Sequence, residues 1–180
     1  ALLLADIGAS HPNSSLVTLH CRAAHVATCP RKGAGGEASR DEAITERKTG
    51  MTQEEQNKEI VRRFLGAVEA GDIDTIEALQ APECAWWIIG TGEISRESYT
   101  DAVKGMLLTA SSRKVEIIGM VAEGDTVAAE VRSEMHFGER VYANEYHDLF
   151  VIRDGQIVHG REYFDTGKVA AFFGSQGDAA

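Results

Sequence analysis

Residues 144–166 read NEYHDLFVIRDGQIVHGREYFDT and hold five carboxylates, Glu145, Asp148, Asp154, Glu162 and Asp165, beside His147 and His159. Just upstream, Arg132, Glu134 and His136 recur at every second residue. A carboxylate in an apolar setting is costly unless a cation pairs with it or its pKa rises. A raised pKa is also what lets a carboxyl give or take a proton near neutral pH, at a carbonyl or a hydroxyl. Acid/base chemistry is therefore open to this stretch. Metal and nucleotide chemistry is not indicated. His20, Cys21, His25 and Cys29 match no zinc spacing, and no Gly-rich phosphate loop follows a strand. No cofactor is expected.

The elements that must position these groups are strands. Asp154-Gly155 between two apolar runs is a hairpin signal. KVEIIGMVAE, TVAAEVRSEMHF, RVYANEYHDLFVI and QIVHGREYFD read as four successive strands, separated at Gly124-Asp125, Gly138 and the Asp154-Gly155 turn. Alternation then sorts side chains by face. Asn144, Tyr146, Asp148, Phe150 and Ile152 share one face, and Glu145, His147, Leu149 and Val151 the other. Arg132, Glu134 and His136 lie opposite Val131, Ser133 and Met135. Arg161, Tyr163 and Asp165 lie opposite Glu162 and Phe164, with Glu162 expected in solvent or paired to an arginine. Alternation alone does not say which face looks inward, and a bulge would exchange them. Phe150 and Ile152 favour the Asp148 face.

Helices come first. Thr52 and Glu55 have capping-box spacing. Ile60, Phe64 and Val68, flanked by Val61 and Leu65, form an apolar stripe that ends at Gly71. Asp72 can cap a second helix, IDTIEALQA, which Pro82 is expected to stop. CAWWII, residues 84–89, reads as a strand, followed by a Gly-rich turn and a helix of about ten residues from Ser98 or Tyr99. Thr166 can cap a last helix. The order α-α-β-α-β-β-β-β-α predicts an α+β fold, a curved, mostly antiparallel sheet rolled into a cone around the helices.

The 180 residues fit one domain and a tail, and the apolar fraction of 43% is that of a globular protein. Residues 1–50, with six Lys/Arg and five Asp/Glu and no sustained periodicity, are expected to be a flexible or upstream-encoded extension, with Met51 opening the domain at 51–180. The net charge of −10 argues against nucleic-acid binding. No apolar run approaches the length of a membrane span. Three cysteines without framework spacing point to reduced thiols and a cytoplasmic location.

FLGAVEAGDIDTIEALQAPECAWW, residues 64–87, and the 144–166 stretch resemble the nuclear transport factor 2-like superfamily, in its SnoaL-like and ketosteroid isomerase-like branch. The resemblance spans about residues 55–174. It implies a cone with one deep pocket, commonly in a homodimer packed through the sheet, and a fold that hosts isomerases, cyclases, hydrolases and plain binding modules. Three templates follow from it. Ketosteroid isomerase-like chemistry would place Asp148 as a protonated donor, but its donor Tyr falls on Phe64 and its base on Ile88. Limonene epoxide hydrolase-like chemistry would use Arg132, Glu134 and Asp165 as a charge triad, while its water-holding Tyr and Asn fall on Trp86 and Ile88. SnoaL-like cyclisation requires only a pocket and one or two acid/base groups.

The candidate catalytic residues are therefore Asp148, Asp165, Glu134 and Arg132. Phe64, Trp86, Trp87, Ile88, His136, Asn144, Tyr146, Phe150 and Tyr163 are expected to contact a small, largely apolar ligand. Burial should raise the pKa of Asp148 above its ordinary value of about 3.9. The competing class is a non-catalytic binding or dimerisation domain, whose pocket would carry isolated polar groups instead of two or more carboxylates.

Overall fold

The computed structural model describes residues 50–174. The expected extension and its Cys21, Cys29, His20 and His25 lie outside the described residues. The elements run α1 (Gln53–Ala70), α2 (Ile73–Ala78), β1 (Gln80–Ile88), β2 (Gly92–Ser95), α3 (Arg96–Thr109), β3 (Ser112–Glu123), β4 (Thr126–Phe137), β5 (Arg140–Arg153), β6 (Gln156–Phe164) and α4 (Thr166–Phe173). The expected order holds with one addition, the short strand β2. The six strands form one curved, unclosed sheet in the order β2-β1-β6-β5-β4-β3. All neighbours are antiparallel except β1 and β6, which run parallel.

Local chemistry sets the element ends. The Thr52 hydroxyl accepts the Glu55 N–H at 3.2 Å and starts α1. Gly71, at φ 72°, turns its N–H back onto the carbonyls of Ala67 and Val68 and ends it. Arg113 of β3 then fans across the open carbonyls of two helix ends. It donates to Glu69 and Ala70 of α1, to Leu107 of α3 and to Ala110, at 2.8–3.3 Å. Pro82 does not stop α2. It sits inside β1, in the stretch between Gln80 and Ala85 where pairing with β6 is irregular, so its missing N–H leaves no ladder bond unmade. Asp154 and Gly155 both hold positive φ, 51° and 78°, the signature of a two-residue type I′ hairpin turn.

Beyond that turn the register slips by one. Arg153 faces Gln156 and Ile152 faces Ile157, but Val151 faces His159, which leaves Val158 as a β-bulge. From there on Asp148 stands opposite Glu162, where a regular hairpin would have paired it with Arg161. A one-residue slip exchanges the faces of a strand. Glu162 and Phe164 therefore point into the cone, and Arg161 and Tyr163 point out.

The core fills the closed end of the cone. Val61, Phe64, Ile76, Trp86, Val127, Phe150, Ile152 and Ile157 are each at most 1% exposed. Trp86 lies flat against Tyr99 of α3, with centroids 3.8 Å apart and planes 4° from parallel, and it stacks on Phe64 at 5.6 Å. Its indole N–H donates to Gln80 Oε1 at 2.8 Å, and the Gln80 amide donates in turn to the Ile76 carbonyl. The Trp86 ring also covers Gly160 of β6, where a Cβ would come within 2.3 Å of two of its carbons. No residue but glycine fits under that ring.

Candidate functional site

The open part of the cone is a cavity of about 470 Å³. Its walls are mostly apolar: Leu65 and Val68 of α1, Met106 of α3, Val115 of β3, Val131 and Met135 of β4, with Val169 and Phe173 of α4 at the rim. The polar exceptions include Asp148, Glu162, Tyr99, Tyr142, Tyr146 and Ser133.

Asp148 and Glu162 are cross-strand partners on the inner face, flanked in the same row by Ile88 on one side and Ala129 on the other. Asp148 is 4% exposed, and its Oδ1 has no hydrogen-bond partner. Burial, reinforced by the charge of Glu162, raises its pKa well above the usual carboxylate range. Glu162 keeps part of its surface open, as a cavity-lining residue does. Its carboxyl accepts the Tyr99 hydroxyl at 2.7 Å. Burial pushes its pKa up to about 7, and the Tyr99 hydrogen bond partly opposes the rise. Both carboxyls are therefore held above the usual carboxylate range, and the charge of Glu162 opposes ionisation of Asp148. One wall of an apolar cavity carries both a proton donor and a proton acceptor.

The expected site residues divide accordingly. Phe64, Ile88, Tyr146 and Asp148 line the cavity. Asn144 is buried, but it ties β5 to the start of α4 and does not line the cavity. Phe150 and Trp86 belong to the core behind the cavity floor. Trp87 and Tyr163 pack at a tilt on the outer face, with centroids 5.2 Å apart and planes 42° from parallel, and the Arg161 guanidinium lies 4.6 Å above the Trp87 ring. The charge triad does not exist. Arg132 is exposed and donates to Glu145 at 2.9 Å, and Glu134 pairs with His136 at 3.0 Å, also in solvent. Arg132, Glu134 and His136 are out because Val131, Ser133 and Met135, their alternates on β4, fill the inner face. Asp165 caps α4, accepting the N–H groups of Gly167 and Lys168 at 2.8 and 3.2 Å.

Glu162 and Tyr99 were missed from sequence. Glu162 falls on the outer face if the hairpin is regular, and Tyr99 looks like an ordinary first-turn helix residue. Among the described residues no three His, Cys, Asp or Glu side chains gather as a metal centre would need. No helix there is long and apolar enough to cross a membrane.

No curated protein matches the sequence. Several solved structures share the fold. An LEH-like epoxide hydrolase from M. tuberculosis is 21% identical, covering 68% of this chain and 99% of its own, with a TM-score of 0.58. Wild-type IdmH of Streptomyces antibioticus, a proposed polyketide cyclase, is 19% identical over 66% and 99%, with a TM-score of 0.58. Bal32a, from a soil-derived mobile gene cassette, is 23% identical over 67% and 98%, with a TM-score of 0.60. At these identities the likeness carries the cone fold and nothing finer. The family model of the SnoaL-like domain matches residues 61–160, more than half of the sequence, and the chain belongs to the SnoaL-like domain family.

Proposed function

We propose that the protein is an acid/base enzyme, an isomerase or cyclase, acting on a small and largely apolar molecule that carries a carbonyl or hydroxyl at its reacting centre. The observation that carries this reading is the Asp148–Glu162 pair, two facing carboxyls in one apolar cavity, both held above the usual carboxylate range. Ionised Glu162 takes a proton from carbon or oxygen. Protonated Asp148 donates to the oxygen on which negative charge develops. Tyr99 holds the Glu162 carboxylate in place.

The ketosteroid isomerase-like template gains a physical basis here. The position it assigns to the base is Ile88, and the β-register partner of Ile88 is Glu162. The base has moved one strand across the same row. An epoxide hydrolase-like mechanism with its bridging arginine is not favoured, because no arginine is among the cavity-lining residues. A passive binding module would show isolated polar groups, and two facing carboxyls oppose that.

The test is proton exchange at carbon. 2-Tetralone, an apolar bicyclic ketone, is incubated with the protein in D₂O and deuterium uptake at C1 is followed by NMR. The wild type should accelerate exchange, and Glu162→Gln and Asp148→Asn should each lose about 100-fold or more of that acceleration. Binding without acceleration, or acceleration that survives both substitutions, would rule the reading out. The same proposal includes a cytoplasmic location and a homodimer paired through the outer sheet face at Trp87, Leu149 and Tyr163. Sedimentation velocity tests the dimer, and a monomer at micromolar concentration would exclude it.

A further inference from the structure

A second polar cluster lines the cavity beyond Asp148 along β5. Tyr142, Tyr146 and Ser133 all face it. Behind them stands Asn144, 2% exposed, whose amide orientation is fixed by its partners. Asn144 Oδ1 accepts the backbone N–H of Glu145 at 2.9 Å and that of Asp165 at 3.4 Å. Its Nδ2 must then be the group that donates, to the Asp165 carbonyl at 3.1 Å and to the Tyr142 hydroxyl at 2.9 Å. A flipped amide would set N–H against N–H.

The Tyr142 oxygen receives a hydrogen bond from the amide and lies 3.0 Å from the Tyr146 hydroxyl, and either of the two phenols can donate to the other. Only one of their two protons can lie between them, so one O–H of the pair is left for the cavity. Ser133 also lines the cavity, buried at 8% exposure, and its Oγ makes no hydrogen bond of normal geometry. A network that begins on backbone thus ends on unpaired hydroxyls in an apolar space. An unpaired hydroxyl in such a place is costly unless a ligand completes it.

We infer that Tyr146, with Ser133 beside it, binds a second oxygen of the substrate, and that Asn144 and Tyr142 are positioning residues that aim it. The inference rests on the acid/base reading of the same cavity. Tyr146 and Asp148 are successive inward positions of β5, about 7 Å apart along the strand. Phe164 stands opposite Tyr146 and packs against it at 5.5 Å, so the space between the two poles is apolar on that side. The substrate then carries a second oxygen, set apart from its reacting centre by an apolar stretch. Chains too short to span both poles would bind but lose orientation.

The experiment compares 2-tetralone with 6-hydroxy-2-tetralone, which differ only by an oxygen on the far ring, measuring affinity calorimetrically. The wild type should prefer the hydroxylated ligand about five- to tenfold. Tyr146→Phe, which keeps the ring packing on Phe164, should bring the ratio to about one, and Tyr142→Phe should lower it partly. Asp148→Asn should abolish C1 exchange and leave the ratio standing. A general loss of packing would weaken both ligands together and would not move the ratio. The inference is overturned if the wild type shows no preference, if Tyr146→Phe leaves the preference intact, or if Tyr142→Phe alone removes it. In each of those cases acceleration of exchange that depends on Glu162 would leave the acid/base reading in place. Failure of both ligands to bind would refute the cavity reading and this inference with it.

Discussion

Glu162→Gln should make the protein more stable, and only on the alkaline side. The carboxyl sits beside Asp148 in an apolar wall, and burial raises its pKa from the ordinary 4.5 to about 7. The folded state therefore binds a proton more tightly than the unfolded chain does. For an acid shifted upward, stability is highest below the unfolded value and falls as pH rises toward the folded one. The window here runs from about pH 4.5 to about pH 7, and the loss is complete above it. At roughly 1.4 kcal/mol per pH unit the full effect is at most about 3 kcal/mol. Gln removes the titration, keeps the shape and still accepts the Tyr99 hydroxyl. Urea denaturation at pH 4.5 and pH 8 should show the two proteins nearly equal at the lower pH. At the higher pH the variant should be ahead by up to about 3 kcal/mol, with unchanged m-values. Equal stability at both pH values, or a variant weaker at pH 8, would mean that the carboxylate is not held desolvated, and the acid/base assignment would fall with it.

Tyr99→Phe takes a hydrogen bond from the charged form of Glu162, so the pH–rate limb governed by that group should move upward from about 7, read as the pH dependence of tetralone exchange. Gly160→Ala should destabilise by about 1–3 kcal/mol or more, measured by chemical denaturation, because its Cβ meets the Trp86 ring. Asn57→Ala removes the donor to the Gly124 carbonyl across the β3–β4 turn and should cost about 1–3 kcal/mol by the same measurement. Arg132→Ala should leave both melting temperature and exchange rate unchanged, since the guanidinium touches only Glu145 in solvent.

The long elements were legible because their signals are redundant. Thr52, the stripe through Phe64 and Gly71 each mark α1 independently, and Phe150 and Ile152 favour the inner face of β5 that the structure has. The cone, the antiparallel meander and the burial of Asp148 followed from these. β2 was not legible: four residues between glycine-rich turns, with half its positions exposed, are too few to show a period. Nor was the start of β1, where Pro82 reads as a stop unless the pairing gap beside it is known. Glu162 was lost for a different reason. Val158 carries no mark of a bulge, so a regular register from the Asp154-Gly155 turn leaves Glu162 on the outer face, while the triad of Arg132, Glu134 and Asp165 came from the limonene epoxide hydrolase-like resemblance. The one available signal was Gly160, a small residue in a strand otherwise rich in large ones, which fits a place where another ring comes close.

That glycine has a further consequence. Because position 160 has no side chain, the Trp86 indole can lie on the strand; because the indole lies there, Tyr99 stacks on it at 3.8 Å; and because Tyr99 is so placed, its hydroxyl reaches Glu162. A residue that makes no contact with any ligand is thus linked, ring upon ring, to the acidity of the one that would remove the proton. Substitutions in this protein's core should accordingly be recorded as pH optima as well as melting temperatures. A variant that shifts the indole by a few tenths of an ångström could keep its fold intact and still run its chemistry at a different acidity.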